Sequence, residues 1–272
     1  VSTLVERVRY NRVVRKLASI AGRGGDGRIA DFAMTTEEAL AAGASNTEFG
    51  RLFFAHEGRA IHKWTQYLPA YDEQFAPYRA GFPLPDGSTR PLRLLEIGVQ
   101  HGGSLQLWRQ FFGPDAIIFG VDVDPQVAAV DSPDLPVRIG SQDDPEFLRR
   151  VVAEMGGVDI VLDDGSHRAE HVRASFDVLF PLLSDGGLYA VEDLHTMYWP
   201  GFGGGYRRST SFFEVLRTLV DDMHSWYHPE GEKLGVNAAA QVPRVSIYDS
   251  IAFIAKSAPS RPGVVRFGVD SF

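Results

Sequence analysis

The chain has 272 residues, 44% of them hydrophobic, which is enough for one large core, or for one core with a helical appendage. Its net charge of −8 argues against a general affinity for nucleic acid backbone. With no cysteine it has no disulfide, thiolate metal site or cysteine nucleophile, and this fits a cytoplasmic protein.

Residues 4–20 place Leu4, Val8, Val13, Leu17 and Ile20 at helical intervals beside Arg7, Arg9, Arg12, Arg15 and Lys16. A basic helix is expected there, facing a partner subunit, the body of the protein, or a polyanionic or membrane surface. Arginines through this segment argue against a secretory signal, and no run reaches the roughly 20 apolar residues of a membrane span. Residues 21–28 (AGRGGDGR) read as a loop. Residues 35–79 read as helical, and TTEEAL has the acidic first turn of a helix start. The turn-rich stretch 78–91 then delivers the chain to its first long strand.

From Leu92 onward, short apolar runs alternate with helical stretches. The runs lie at 92–97, 116–122, 135–139, 158–163 and 187–192. That alternation predicts an α/β fold, a Rossmann-like doubly wound sheet, mostly parallel and covered on both faces. Residues 242–256 hold two strand-like runs around Tyr248-Asp249-Ser250, a C-terminal antiparallel pair. The helix expected over 211–228 presents Trp226 or Tyr227 to an interface.

In an open parallel sheet, ligands bind outside the carboxyl ends of the strands. The ends of the first, fourth and fifth strands all carry polar or glycine residues. The first, Glu96-Ile97-Gly98-Val99-Gln100-His101-Gly102-Gly103-Ser104, is a turn into a helix where glycine lets a ligand approach the backbone. It lacks the GxGxxG spacing of the usual dinucleotide site. Glu96 stands two residues before Gly98, where it could bind a positively charged amino-acid moiety. Gly98, Gln100 and Ser104 complete the cradle. Asp122, ending the second strand, is placed to accept both hydroxyls of a ribose, with Asp124 as a cap. Gln142 and Asp143 follow the third strand and could meet an adenine edge; helix capping is the competing reading of Asp143 and Asp144. Asp163, ending the fourth strand, is counted on the cofactor side.

Asp164 follows the fourth strand and Glu192 and Asp193 close the fifth, and three adjacent carboxylates repel one another unless they share a hard cation such as Mg²⁺. A helix cap or surface pair is the alternative for Glu192 and Asp193. His167 lies three residues after Asp164 and suits a general base, with His171 and His195 as rivals. After the fifth strand, Tyr198-Trp199-Pro200-Gly201-Phe202-Gly203-Gly204-Gly205-Tyr206 interleaves aromatics with glycines. Tyr198, Trp199 and His195 are the expected acceptor contacts on a lid-like loop, unless those aromatics belong to the core.

These residues, in this order over 92–257, resemble class I adenosylmethionine-dependent methyltransferases. DDGSH followed by VEDLHTMYWPGFGGG is similar to the macrocin and mycinamicin type of antibiotic-sugar O-methyltransferases, and HKWTQYLPAYDEQFAPYR (62–79) resembles their Tyr-rich helix before the core. The resemblance implies S-adenosylmethionine and Mg²⁺ as cofactors, the ligands Asp164, Glu192 and Asp193, a small-molecule sugar or glycoside acceptor, and a homo-oligomer. It implies an N-terminal helical extension, lid and oligomerisation region over 1–90 and a methyltransferase domain over 91–272, with Tyr67 and Tyr71 closing the cofactor side. Within the same chemistry, a catechol or other vicinal diol is an alternative acceptor. A nicotinamide-dependent sugar oxidoreductase is disfavoured by the absent GxGxxG and Tyr-x-x-x-Lys patterns. A silent binding module on the same fold would need no metal.

Overall fold

The computed structural model describes residues 32–228, 241–258 and 261–269, and nine strands organise these described residues. The basic segment 4–20 and the loop 21–28 lie outside those residues. A small hairpin, β1 (Phe82–Pro83) and β2 (Thr89–Arg90), precedes β3 (Arg93–Ile97), β4 (Ile117–Asp122), β5 (Val137–Ile139), β6 (Val158–Asp163), β7 (Leu183–Val191), β8 (Arg244–Tyr248) and β9 (Ile251–Ala255). The main sheet has the order β5-β4-β3-β6-β7-β9-β8. Pairing is parallel from β5 to β7, while β9 runs antiparallel to both β7 and β8. The expected doubly wound sheet with an antiparallel C-terminal pair is the observed one, and Asp249-Ser250 is its two-residue connection.

The strand order explains where a ligand can bind. After β3 the chain winds outward to β4 and β5, then returns to place β6 on the other side of β3. The carboxyl ends of β3 and β6 therefore flank the switch point, where the helical connections diverge and leave a crevice. All six residues of β6 are buried, as expected for a strand covered on both faces. At its other end Asp159 is held by Arg90 and Arg93, whose hydrogen bonds outweigh burial and keep its carboxyl below the usual range.

Residues 35–79 differ from the continuous helical reading. They form α1 (Thr36–Ala41), α2 (Glu48–Phe54) and α3 (Tyr67–Phe75), and residues 55–66 carry no helix. The start of α1 is as expected: Thr35 and Glu38 make a reciprocal capping box. This helix ends at Ala41, Gly43 turns the chain with φ +82°, and Thr47 caps the start of α2. The intervening loop is anchored from outside, since Arg59 N–H donates to Gln106 Oε1 at 2.8 Å.

Aromatic packing joins these helices to the sheet. Trp108, on the helix α4 (Gly103–Phe112), is fully buried, with Phe49 stacked at 4.8 Å and Tyr71 and Phe75 edge-on at 5.2 and 5.5 Å. Each such pair adds about 0.5–1.5 kcal/mol beyond area burial. The opposite sheet face packs against α5 (Pro145–Met155), α6 (Ala169–Leu179) and α7 (Phe212–Met223). Trp226 and Tyr227 beyond α7 are exposed. No helix among the described residues is long and apolar enough to cross a membrane.

Candidate active site

Gly98 makes the switch point possible. Its φ is +92°, and a Cβ there would fall 2.0 Å from the carbonyl oxygen of Asp164. Asp122 then sets the loop that follows. Its Oδ2 accepts the N–H groups of Val99 and Gln100 at 2.9 and 3.0 Å, and its Oδ1 accepts that of Asp124 at 2.9 Å. A cavity of about 360 Å³ opens beside this loop, with Gly98, Gln100, Asp122 and Gln142 on one side and His167 and Trp199 on the other.

The other expected cofactor residues stand behind that cavity. Glu96 is fully buried; Ser104 Oγ donates to its Oε2 at 2.8 Å, while Oε1 has no hydrogen-bond partner. Burial raises the Glu96 carboxyl to about 7. Asp163 lies beneath the floor, accepting from Gln142 Nε2 at 3.0 Å and Ser175 Oγ at 2.5 Å. Gln142 also accepts the Ser166 N–H through Oε1 at 2.7 Å, bracing the DDGSH loop. Asp144, rather than Asp143, caps α5. Asp143 accepts from Ser141 Oγ and lies 3.6 Å from His171 Nε2.

Across the cavity, Asp164, His167 and Asp193 turn one atom each toward a common point, all within 4.8 Å of one another. His167 Nε2 lies 3.5 Å from Asp193 Oδ2 and 3.9 Å from Asp164 Oδ1. Its φ of +56° places it in the left-handed region, a strained position that Thr196 Oγ1 secures by donating to the His167 carbonyl at 3.0 Å. His167 Nδ1 is buried without a partner. Glu192 adjoins this group, but its Oε1 is held by Lys63 Nζ at 2.6 Å and by the Tyr71 hydroxyl. Burial and the nearby Asp164 charge push Glu192 well above the usual carboxylate range. Burial acts the same way on Asp193, but His167, His195 and the Tyr67 hydrogen bond outweigh it and hold Asp193 low.

Two functional residues were not singled out from the sequence pattern. Lys63 Nζ donates to Asp164 Oδ2 at 2.5 Å and Trp64 Nε1 to Asp193 Oδ1 at 3.0 Å. They reach the carboxylates from the helix-free stretch just before α3, and Tyr67 and Tyr71 reach them from α3 itself. Their signal is the Lys-Trp pair four and three residues before Tyr67, next to a site that needs positive charge.

Residues 95–194 match a family model described as a methyltransferase domain. The chain carries a methyltransferase domain. It is 36% identical over 254 residues to the 8-demethyl-8-(2-methoxy-alpha-L-rhamnosyl)-tetracenomycin-C 3'-O-methyltransferase of Streptomyces olivaceus, covering 88% of this chain and 62% of that protein. It is 38% identical over 210 residues to the demethylmacrocin O-methyltransferase of Streptomyces fradiae, covering 73% and 50%. Among solved structures, it is similar to the MycE methyltransferase of the mycinamycin biosynthetic pathway in complex with Mg, SAH and mycinamycin VI. That likeness has a TM-score of 0.66 at 34% identity and covers 82% of this chain and 57% of the other. The chain thus spans from about half to three fifths of these relatives' length.

The methyltransferase domain meets a second cavity of about 580 Å³ on the side of α1 and α2, lined by Phe32, Phe53, Phe54 and Ile61. His195 and Trp199 line both cavities. The His195 ring lies 5.4 Å from Trp64 and 4.8 Å from Trp199, edge-on to each, and its Nδ1 is 2.6 Å from Ser250 Oγ. Burial keeps His195 below the usual imidazole range. Tyr198, the neighbour of Trp199, points elsewhere and packs on Phe213 at 5.1 Å.

Proposed function

We propose that the protein is an S-adenosylmethionine-dependent O-methyltransferase that uses Mg²⁺ and methylates a sugar hydroxyl on a glycosylated small molecule. The observation that carries this reading is His167 Nε2 facing the free oxygens of Asp164 and Asp193 at the wall of the cleft. The relatives and the solved neighbour, with their rhamnosyl, macrocin and mycinamycin names, support the acceptor class.

The residues fit both groups. Gly98 leaves the backbone approachable, and Asp122, whose carboxylate fixes that loop, lines the cavity where a ribose would lie, while Glu96 stays buried behind the wall. Asp164 Oδ1 and Asp193 Oδ2 are hard oxygen donors suited to Mg²⁺, with Glu192 adjoining them as the third carboxylate. Bound there, the cation supplies the charge that lowers the pKa of an acceptor hydroxyl. His167 Nε2 takes the hydroxyl proton as the oxygen forms its bond to the methyl carbon and the sulfur–carbon bond breaks. Asp193 Oδ2 then stabilises the imidazolium. The second cavity takes the apolar aglycone, while the sugar passes the row formed by Trp64, His195 and Trp199.

A second reading has a specific basis: His167 Nε2 belongs to the same convergent group and could ligate the cation itself. Metal titration separates the two readings. His167→Ala leaves Mn²⁺ affinity intact if His167 is the base, and lowers it if His167 is a ligand.

The deciding experiment is calorimetric titration with adenosylhomocysteine, followed by an assay of methyl transfer from S-adenosylmethionine to a rhamnosyl polyketide glycoside with and without Mg²⁺. Cofactor-product binding, with glycoside methylation that requires Mg²⁺, is the expected result. No adenosylhomocysteine binding in either condition would sink the reading, and methylation of catechols alone would redirect the acceptor assignment.

A further inference from the structure

Asp164 and Asp193 each have one oxygen held and one presented. Asp193 Oδ1 accepts from Trp64 and Tyr67, and its Oδ2 faces His167. Asp164 Oδ2 accepts from Lys63, and its Oδ1 faces His167. The Lys63 ammonium also contacts Glu192 Oε1 at 2.6 Å and stands 4.0 Å from Glu96 Oε1. Its side chain is only 3% exposed, so it is no surface lysine that folded inward by chance.

We propose that Lys63 is a positioning residue of the transfer site, a fixed internal counter-charge that clamps Asp164 to Glu192 so that Asp164 presents Oδ1 to the cation. The inference rests on the metal-dependent reading above and assigns to that site a residue from outside the sheet.

The physical case has three parts. Carboxylates have four lone-pair directions, and an unheld Asp164 could turn either oxygen, or both, toward its neighbours. A buried ammonium at 2.5 Å removes that freedom. Next, burying an ion pair is poor value for stability alone, because apolar residues of similar volume usually stabilise as well or better. Retaining one here is explained by what it orients. Finally, Glu96, Asp164, Glu192 and Asp193 crowd four carboxyl groups together, and the lysine supplies positive charge inside that cluster. Lys63 lies four residues before the start of α3, and the Trp64 and Tyr67 contacts that follow it hold the same short segment against Asp193.

The test is Mn²⁺ binding to the full chain, read by electron paramagnetic resonance with adenosylhomocysteine present. Outer partners of metal ligands commonly govern affinity by about tenfold to a hundredfold, and Lys63→Met is expected to weaken Mn²⁺ binding within that range. Adenosylhomocysteine affinity, measured in parallel, should stay near that of the unmodified protein and report an intact fold. Should Lys63→Met fail to fold, Lys63→Met with Glu192→Gln removes the stranded charge, and its Mn²⁺ affinity is compared with that of Glu192→Gln alone. A further loss in the double variant supports the clamp. Unchanged Mn²⁺ affinity in a folded variant would reduce Lys63 to a structural ion pair. Tighter Mn²⁺ binding would show that the lysine competes with the cation, and either result overturns the proposal. No Mn²⁺ binding by the unmodified protein would instead remove the metal-dependent reading on which it stands.

Discussion

Tyr67 and Asp193 bind each other in both directions. The tyrosine hydroxyl donates to Asp193 Oδ1 at 2.8 Å and accepts the Asp193 backbone N–H at 3.0 Å. Asp193 has φ +54°, so a side chain from the N-terminal helices holds a strained residue at the end of β7. Tyr67→Phe removes both bonds and leaves buried groups unsatisfied, with an expected loss of about 1–3 kcal/mol in urea unfolding. Methyl transfer should fall with it, because Asp193 Oδ2 loses its fixed direction. Full stability in this variant would refute the brace.

His167 is expected to carry the proton transfer. Removing a positioned general base costs roughly 10²–10⁴-fold in rate, so His167→Ala should lower kcat on that scale. Adenosylhomocysteine affinity should be kept, since the Gly98 and Asp122 side of the cleft is untouched. A variant with near-normal kcat would move the role to His171 or His195.

The architecture was legible because its signals are local. Runs such as VDIVLD at 158–163 are apolar enough to be central strands, and the alternation with helices fixes their parallel order. Gly98 and Asp122 were readable for the same reason, as polar or glycine residues at the ends of apolar runs. What could not be read were contacts across long sequence separation. Lys63 meets Asp164 and Glu192 from 101 and 129 residues away, and the Lys-Trp pair before Tyr67 marks the segment without naming those partners. Direction within a short turn was equally hidden. Tyr198 and Trp199 are adjacent, yet one packs on Phe213 and the other lines both cavities, a divergence set at the end of a 3₁₀ turn. Glu96 and Ser104 sit in the expected cradle, but they bond to each other behind the cavity wall.

Gly98→Ala tests the switch point. The added methyl meets the Asp164 carbonyl and the backbone is held at a positive φ, so a loss of at least about 2 kcal/mol is expected. Because Asp164 must move to make room, adenosylhomocysteine affinity and Mn²⁺ affinity should fall together. A drop in one alone would show that the two halves of the site are not joined at this contact.

Glu96 predicts a pH dependence with a definite sign. Burial raises its carboxyl from 4.5 to about 7, so between those values the folded chain keeps a proton that the unfolded chain has released. Its contribution to stability is complete below pH 4.5 and is lost as pH rises through 7. Urea midpoints measured across that window should therefore decline more steeply in the unmodified protein than in Glu96→Gln. Equal slopes would mean that Glu96 is ionised throughout, compensated by Lys63.

The second cavity gives a prediction about acceptor size. Thr36 is exposed at the first turn of α1 and lines that cavity, so Thr36→Trp narrows it without disturbing the core or the carboxylates. If the aglycone lies there, KM for a glycoside with a bulky polyketide should rise by about tenfold, equivalent to about 1.4 kcal/mol of lost binding. The KM for a simple methyl glycoside and the kcat for both should hold, because the sugar meets His167 and Asp193 on the far side of His195. A parallel rise for both acceptors would place the sugar itself in this cavity. No change for either would show that the aglycone leaves the site by another route.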